Sequence, residues 1–196
     1  MSRTFTEPAL HKLFAGYFPI GAAVNPHTIR QQEALLAHHF NSITAENEMK
    51  FISVHPEPDR YTFERADELM AFAERYGMKV RGHTLVWHNQ TSPWLFEDRD
   101  GGRVSRDELL RRMKEHIFAV VGRYKGRIYA WDVVNEVIAD EGEALLRRSP
   151  WTEIAGDSFI ARAFEYAHAA DPEAELYYND YNESDPHKRE KIYRLL

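Results

Sequence analysis

The sequence predicts an α/β fold built on a parallel sheet. Three observations carry that prediction. Short apolar or alternating segments recur along the chain, and each is followed by a stretch with helical spacing. The helical stretches run about 10–20 residues, the length of a right-handed crossover between parallel strands. Polar residues gather at the carboxyl ends of the strand-like segments, where parallel α/β folds bind their ligands.

The elements follow in order. Phe18 to Val24 (FPIGAAV) is short, apolar and glycine-containing, as a buried strand is. Thr28 to His39 has helical spacing through Ile29, Leu35 and Leu36. Asn41 to Ala45 (NSITA) alternates and is β-branched, hence strand. Glu64 to Tyr76 places Ala66, Leu69, Met70, Phe72, Ala73 and Tyr76 three and four apart, and Gly77 ends it. Lys79 to Trp87 (KVRGHTLVW) alternates again, before a polar loop from His88 to Arg103. Ser105 and Glu108 form a Ser-x-x-Glu capping box. It opens a long helix with Leu109, Leu110, Met113, Ile117, Val120, Val121 and Tyr124 on one face. Ile128 to Val134 (IYAWDVV) is an apolar strand broken by one aspartate. A second long loop leads to a helix from Asp157 to Ala170, with Pro172 just beyond it. Glu175 to Tyr181 (ELYYNDY) is the fifth strand, and a further helix starts at Lys188 and runs to Leu196.

Composition narrows the function. The 196 residues include no cysteine, which excludes disulfide scaffolds, thiolate metal sites and cysteine catalysis. A net charge of −6 argues against nucleic acid as the main partner, because phosphate binders carry a basic surplus. No run approaches the roughly 18 apolar residues of a membrane span. The start (Ser2, Arg3, Thr4, Phe5, Thr6, Glu7, Pro8) is too polar for a secretory leader, so the expected location is cytoplasmic. The alternative is a secreted protein whose leader has been removed. No glycine-rich phosphate loop occurs.

The strand ends define the site. The second strand ends in Glu46–Asn47–Glu48, with Lys50 close behind. The third holds His83 and ends in Trp87–His88–Asn89. The fourth ends in Asn135–Glu136, and the fifth in Asn179–Asp180–Tyr181–Asn182. Amides and carboxylates pair with hydroxyls, and aromatic faces stack on sugar rings, so this rim suits a neutral, hydroxyl-rich ligand. With a period of two, Arg81, His83, Leu85 and Trp87 share one face, as do Asp132, Val134 and Glu136, and Thr44 and Glu46. His88 has the opposite parity to His83, and the ten histidines contain no HExxH pattern, so no metal is expected. Taken singly, Asp132 reads as a core ion-pair partner, with Arg81 the candidate cation. His83 reads as a satisfied core histidine, and Trp131 as packing against the helices. Glu136 reads differently. At the end of an apolar strand, burial would raise its pKa and keep it protonated, as a general acid for glycosidic cleavage requires.

The segments ITAENEMKF (43–51), VRGHTLVWHNQTSPWLF (80–96), WDVVNEVIADEG (131–142) and YYNDYNE (177–183) together resemble the glycoside hydrolase family 10 endo-β-1,4-xylanases, over essentially the whole chain. The resemblance implies a (β/α)8 barrel and a retaining mechanism that needs no cofactor, acting on xylan or xylo-oligosaccharides. It implies that Glu136 is the general acid/base and that Asn135 bonds the sugar 2-hydroxyl at the cleavage subsite. It implies that His83 and Trp87 line that subsite. Glu46, Asn47 and Lys50 would bind the next xylose on the non-reducing side, and Tyr181 would stand on the leaving-group side. Trp94 is near the groove in such proteins but sits in a loop, and carries no assigned role.

A retaining mechanism needs two carboxylates about 5–5.5 Å apart. The family's nucleophile lies in a Thr-Glu-Leu-Asp-like motif on the seventh strand, and these residues contain no such motif. The expectation is therefore a truncated barrel of about five βα units, inactive by itself. Two alternatives stand beside it: a module that binds xylo-oligosaccharides without cleaving them, and a half-barrel that assembles with another copy or a complementary chain through its open edge.

Overall fold

The computed structural model describes residues 5–196; Met1 to Thr4, part of the polar start from which the absence of a leader was inferred, lie outside the described residues. In chain order the elements are α1 (Leu10–Leu13), β1 (Gly21–Val24), α2 (Pro26–Gln31), α3 (Glu33–His39), β2 (Ser42–Ala45), α4 (Phe51–Val54), α5 (Glu64–Tyr76), β3 (Lys79–Trp87), a 3-10 turn (Pro93–Leu95), α6 (Arg106–Arg123), β4 (Ala130–Asn135), α7 (Pro150–Ala155), α8 (Ser158–Ala170), β5 (Glu175–Asn179) and α9 (Pro186–Leu195).

All five strands are parallel, in the order β1-β2-β3-β4-β5. A doubly wound sheet reverses its order at a switch point. Consecutive order without reversal is that of a barrel wall. The described sheet is open, with β1 and β5 as its edges. One face packs on the helices through Val24, Ile43, Val80, Trp131 and Val133, all buried. The other lines an open concavity of about 570 Å³, with Thr44, Glu46, Arg81, His83, Asp132 and Asn179 among its walls. Trp131 does pack toward the helices and is fully buried. A Cβ at Gly82 would lie 2.2 Å from the Trp131 ring, so glycine is the residue that admits that indole beneath β3.

The helices form for local reasons. Asn25 caps α2 by accepting the His27 and Thr28 amides, each at 2.9 Å, ahead of Pro26. The single helix expected from Thr28 to His39 is instead two, broken at Gln32 (φ −114°, ψ 20°). α5 ends as expected at Gly77, whose φ of +62° is left-handed. On α6, Leu109, Leu110, Met113, Ile117, Val120 and Val121 are buried, as is Tyr124 just past its end. The Ser105 capping box is only half formed. Ser105 Oγ accepts the Glu108 amide at 3.2 Å, but the Glu108 carboxylate turns to Arg111 and Arg112 at 2.7–2.8 Å. Two guanidiniums one turn ahead outcompete the Ser105 amide and draw the Glu108 pKa down to about 2. Among the described residues no helix is long and apolar enough to cross a membrane.

One buried polar pair lies in the helix layer. His116 of α6 is fully buried, stacked on Phe51 at 3.9 Å, with its Nδ1 3.3 Å from His55 Nδ1. Burial depresses the pKa of both rings, and the Glu115 and Asp59 carboxylates only partly oppose this at His55. The folded state therefore holds both rings neutral at pH values where the unfolded chain protonates them. Stability is expected to decline as pH falls below about 6.5, the unfolded histidine value. Urea midpoints measured from pH 7 to pH 5 check this, and His116→Phe should flatten the decline.

Candidate active site

The strand ends meet at one rim. Register aligns Trp87 of β3, Asn135 of β4 and Asn179 of β5 as neighbours in a row. Two irregularities create that row. β3 carries one more residue than β4 between His83 and Val86, and β4 one more than β5 between Asp132 and Val134. An extra residue reverses the alternation beyond it. The simple parity expectation therefore fails there: Leu85 and Val134 lie in the helix-side core (0% and 1% exposed), and Asn135, itself 2% exposed, takes the register position between Trp87 and Asn179.

Glu136 follows directly, at φ +53°, a left-handed backbone that costs a non-glycine residue about 1–3 kcal/mol. Its amide donates to Asn179 O at 2.8 Å, its carbonyl accepts Arg147 Nε at 3.1 Å, and its Oε2 accepts Trp87 Nε1 at 2.8 Å. It is half-buried rather than sealed in apolar surroundings. The amides of Asn135 and Asn179 meet at 2.9 Å.

Below the rim, Asp132 is 3% exposed and holds both Arg81 and His83; its pairing with Arg81 is the one its mid-strand position suggested. Its Oδ1 accepts Arg81 Nε at 2.9 Å, and its Oδ2 lies 2.9 Å from His83 Nδ1. The carboxylate thus fixes the His83 ring, with Nδ1 turned into the strand layer and Nε2 turned away from it.

The loop after β2 builds the third wall. Lys50 Nζ donates to Asn47 Oδ1 at 3.0 Å and Gln90 Oε1 at 2.8 Å, and stands 4.8 Å over the Trp87 ring. Burial lowers the Lys50 pKa, with Glu136, Glu48 and Glu46 opposing. Glu46 and Asn47 are exposed, and Glu46 accepts Asn25 Nδ2 at 2.5 Å.

Tyr181 stands across the rim. Its hydroxyl donates to Asp140 Oδ2 at 2.6 Å and accepts Arg147 at 3.1 Å, while Lys188 Nζ lies 4.5 Å over its ring. Lys188, 3% exposed, also donates to Asp140 at 2.7 Å and pairs with Asp180 at 3.0 Å. These contacts hold the Asp140 carboxyl well below the usual range.

Every residue expected from sequence at the site therefore lies on this rim or wall: Glu46, Asn47, Lys50, His83, Trp87, Asn135, Glu136 and Tyr181. Trp94 does not take part; its Nε1 donates to His55 O at 3.3 Å and its ring lies against Phe51 and Arg112. Sequence reasoning missed Asn25, Gln90, Asp140, Arg147 and Lys188. It also missed α7, although Ser149–Pro150–Trp151–Thr152 carries a visible cue. Ser149 and Thr152 cap each other's amides, and α7 supplies Trp151, which donates to Trp87 O at 2.9 Å.

The site thus sets the Glu136 carboxyl among amides, ammonium groups and aromatic rings at the carboxyl ends of parallel strands. Comparison with known proteins agrees with that arrangement. The chain is 54% identical over 189 residues to endo-1,4-beta-xylanase B of Paenibacillus barcinonensis, covering 96% of this chain and 57% of that protein. It is 57% identical over 191 residues to an endo-1,4-beta-xylanase of Geobacillus stearothermophilus, with the same two coverages. The chain spans just over half the length of these curated relatives. A crystal structure of the Paenibacillus barcinonensis xylanase XynB, complexed with a conduramine derivative, superposes with a TM-score of 0.96 at 53% identity, covering 98% of this chain and 58% of that one. A mutant structure in complex with xylotriose superposes with a TM-score of 0.93 at 42% identity, covering 95% of this chain and 57% of that one. The five strands are thus arranged as part of a (β/α)8 barrel. With the family model for glycosyl hydrolase family 10 matching residues 9–196, the chain belongs to that family.

Proposed function

We propose that this chain supplies the acid/base half of the cleavage site of a retaining endo-1,4-β-xylanase acting on xylan or xylo-oligosaccharides. The observation that carries the reading is Glu136, half-buried at the carboxyl end of β4 and pinned there by the Trp87 indole. In this reading Glu136 protonates the glycosidic oxygen as the bond breaks, then takes a proton from the incoming water. Asn135 bonds the sugar 2-hydroxyl, and His83 and Trp87 wall the same subsite. Glu46, Asn47 and Lys50 hold the next xylose on the non-reducing side, and Tyr181 faces the leaving sugar.

Among the described residues, the neighbouring carboxylates are already engaged. Asp132 holds Arg81 and His83, Asp180 holds Lys188, Asp140 holds Lys188 and Arg147, and Glu46 holds Asn25. We therefore assign the second carboxylate to barrel strands beyond these residues. Completing the barrel by fusion to the C-terminal remainder of the Paenibacillus barcinonensis xylanase should give an enzyme that hydrolyses xylohexaose with the β anomer formed first, as read by proton NMR. The α anomer first, or no hydrolysis by a cooperatively melting fusion, contradicts the reading. The Asn47–Lys50–Gln90–Trp87 cluster is complete within the chain, which favours a second reading: the 196 residues bind xylotriose without cleaving it. Calorimetry that shows no heat at millimolar xylotriose eliminates that one.

A further inference from the structure

We propose that Arg147 is a positioning residue for Glu136, locking the backbone that aims the acid/base carboxyl; this rests on the reading of Glu136 given above. Glu136 adopts a left-handed φ of +53°, which a side chain keeps only where its surroundings over-determine it. Each of its polar handles is held by a different element: the amide by β5, the carboxylate by Trp87 of β3, and the carbonyl by Arg147. Of the three, Arg147 alone belongs to the loop that follows β4.

That loop is folded to bring Arg147 back. Ala139 N donates to Leu145 O at 3.0 Å and Arg147 N to Val137 O at 2.7 Å, a short antiparallel pairing that returns residue 147 beside residue 136. The guanidinium then spends its fork on three acceptors: Glu136 O, Asp140 Oδ2 at 2.6 Å and the Tyr181 hydroxyl. Lys188 holds Asp140 from beneath. Arg147 thereby ties the proton-transferring residue to the aromatic ring across the rim. A lysine could pair with Asp140 but has no fork with which to serve all three.

Loss of this lock should impair proton delivery rather than sugar binding. The test uses the fused barrel and two aryl β-xylobiosides: phenyl, whose leaving group needs protonation, and 2,4-dinitrophenyl, whose leaving group does not. In Arg147→Ala, kcat/KM for the phenyl substrate should fall about 10- to 100-fold, while that for the dinitrophenyl substrate stays within about threefold. Arg147→Lys should show the same split, and carries the test if the alanine variant fails to melt cooperatively. Equal losses on both substrates, or none on either, overturn the positioning role. A folded, unmodified fusion that cleaves neither substrate instead refutes the proposed function on which the role rests.

Discussion

Glu136→Gln in the fused barrel should melt near the parent temperature yet lose roughly 100- to 10,000-fold in kcat on xylan, the usual share of a positioned general acid/base. Glutamine has the shape of glutamate, and its amide oxygen can still accept the Trp87 indole N–H that Oε2 accepts at 2.8 Å. It has no proton to give to a glycosidic oxygen and cannot take one from water. Because both halves of a retaining cycle pass through this one group, neither step has a bypass. Steady-state kinetics beside a thermal melt check the expectation. A kcat within a few-fold of the parent would remove Glu136 from the acid/base role.

Asp132→Ala should cost about 3 kcal/mol of stability, the lower end of the range for removing one member of a buried ion pair. Asp132 is 3% exposed and is the common partner of Arg81 and His83. Its removal leaves a guanidinium and an imidazole under the rim with no acceptor between them. The lower end applies because the Arg81 side chain is 31% exposed and water recovers part of the loss. Urea unfolding of the fused barrel measures it. Arg111→Ala, which breaks only exposed helix-surface pairs with Glu108 and Glu115, should stay within about 0.5 kcal/mol. Equal effects of the two substitutions would contradict the structural weight given to Asp132.

Much of this was legible in the sequence, because strand and helix periods set which elements form. Lys79–Trp87 and Glu64–Tyr76 coincide with their predicted spans. The polar strand ends pointed to the rim because, in a parallel sheet, they all emerge on one side. What escaped was long-range or irregular. Alternation predicted Leu85 and Val134 on the inner face, but the extra residues in β3 and β4 arise from how three strands register, which no single strand encodes. Nothing local in the sequence sets Arg147 or Asp140 apart from other loop charges. Their role depends on a pairing between residues 137–139 and 145–147 and on Lys188, some 50 residues on. The Ser105–Glu108 motif suggested a reciprocal cap, and lost half of it to Arg111 and Arg112.

The central claim is that these residues hold the acid/base side of a site whose second carboxylate lies elsewhere in the barrel. Reducing-sugar release from xylan, measured on the purified 196-residue chain beside the fused barrel, tests it most directly. The account predicts release by the fusion and none by the chain alone. Release by the chain alone, abolished by Glu136→Ala, would contradict it.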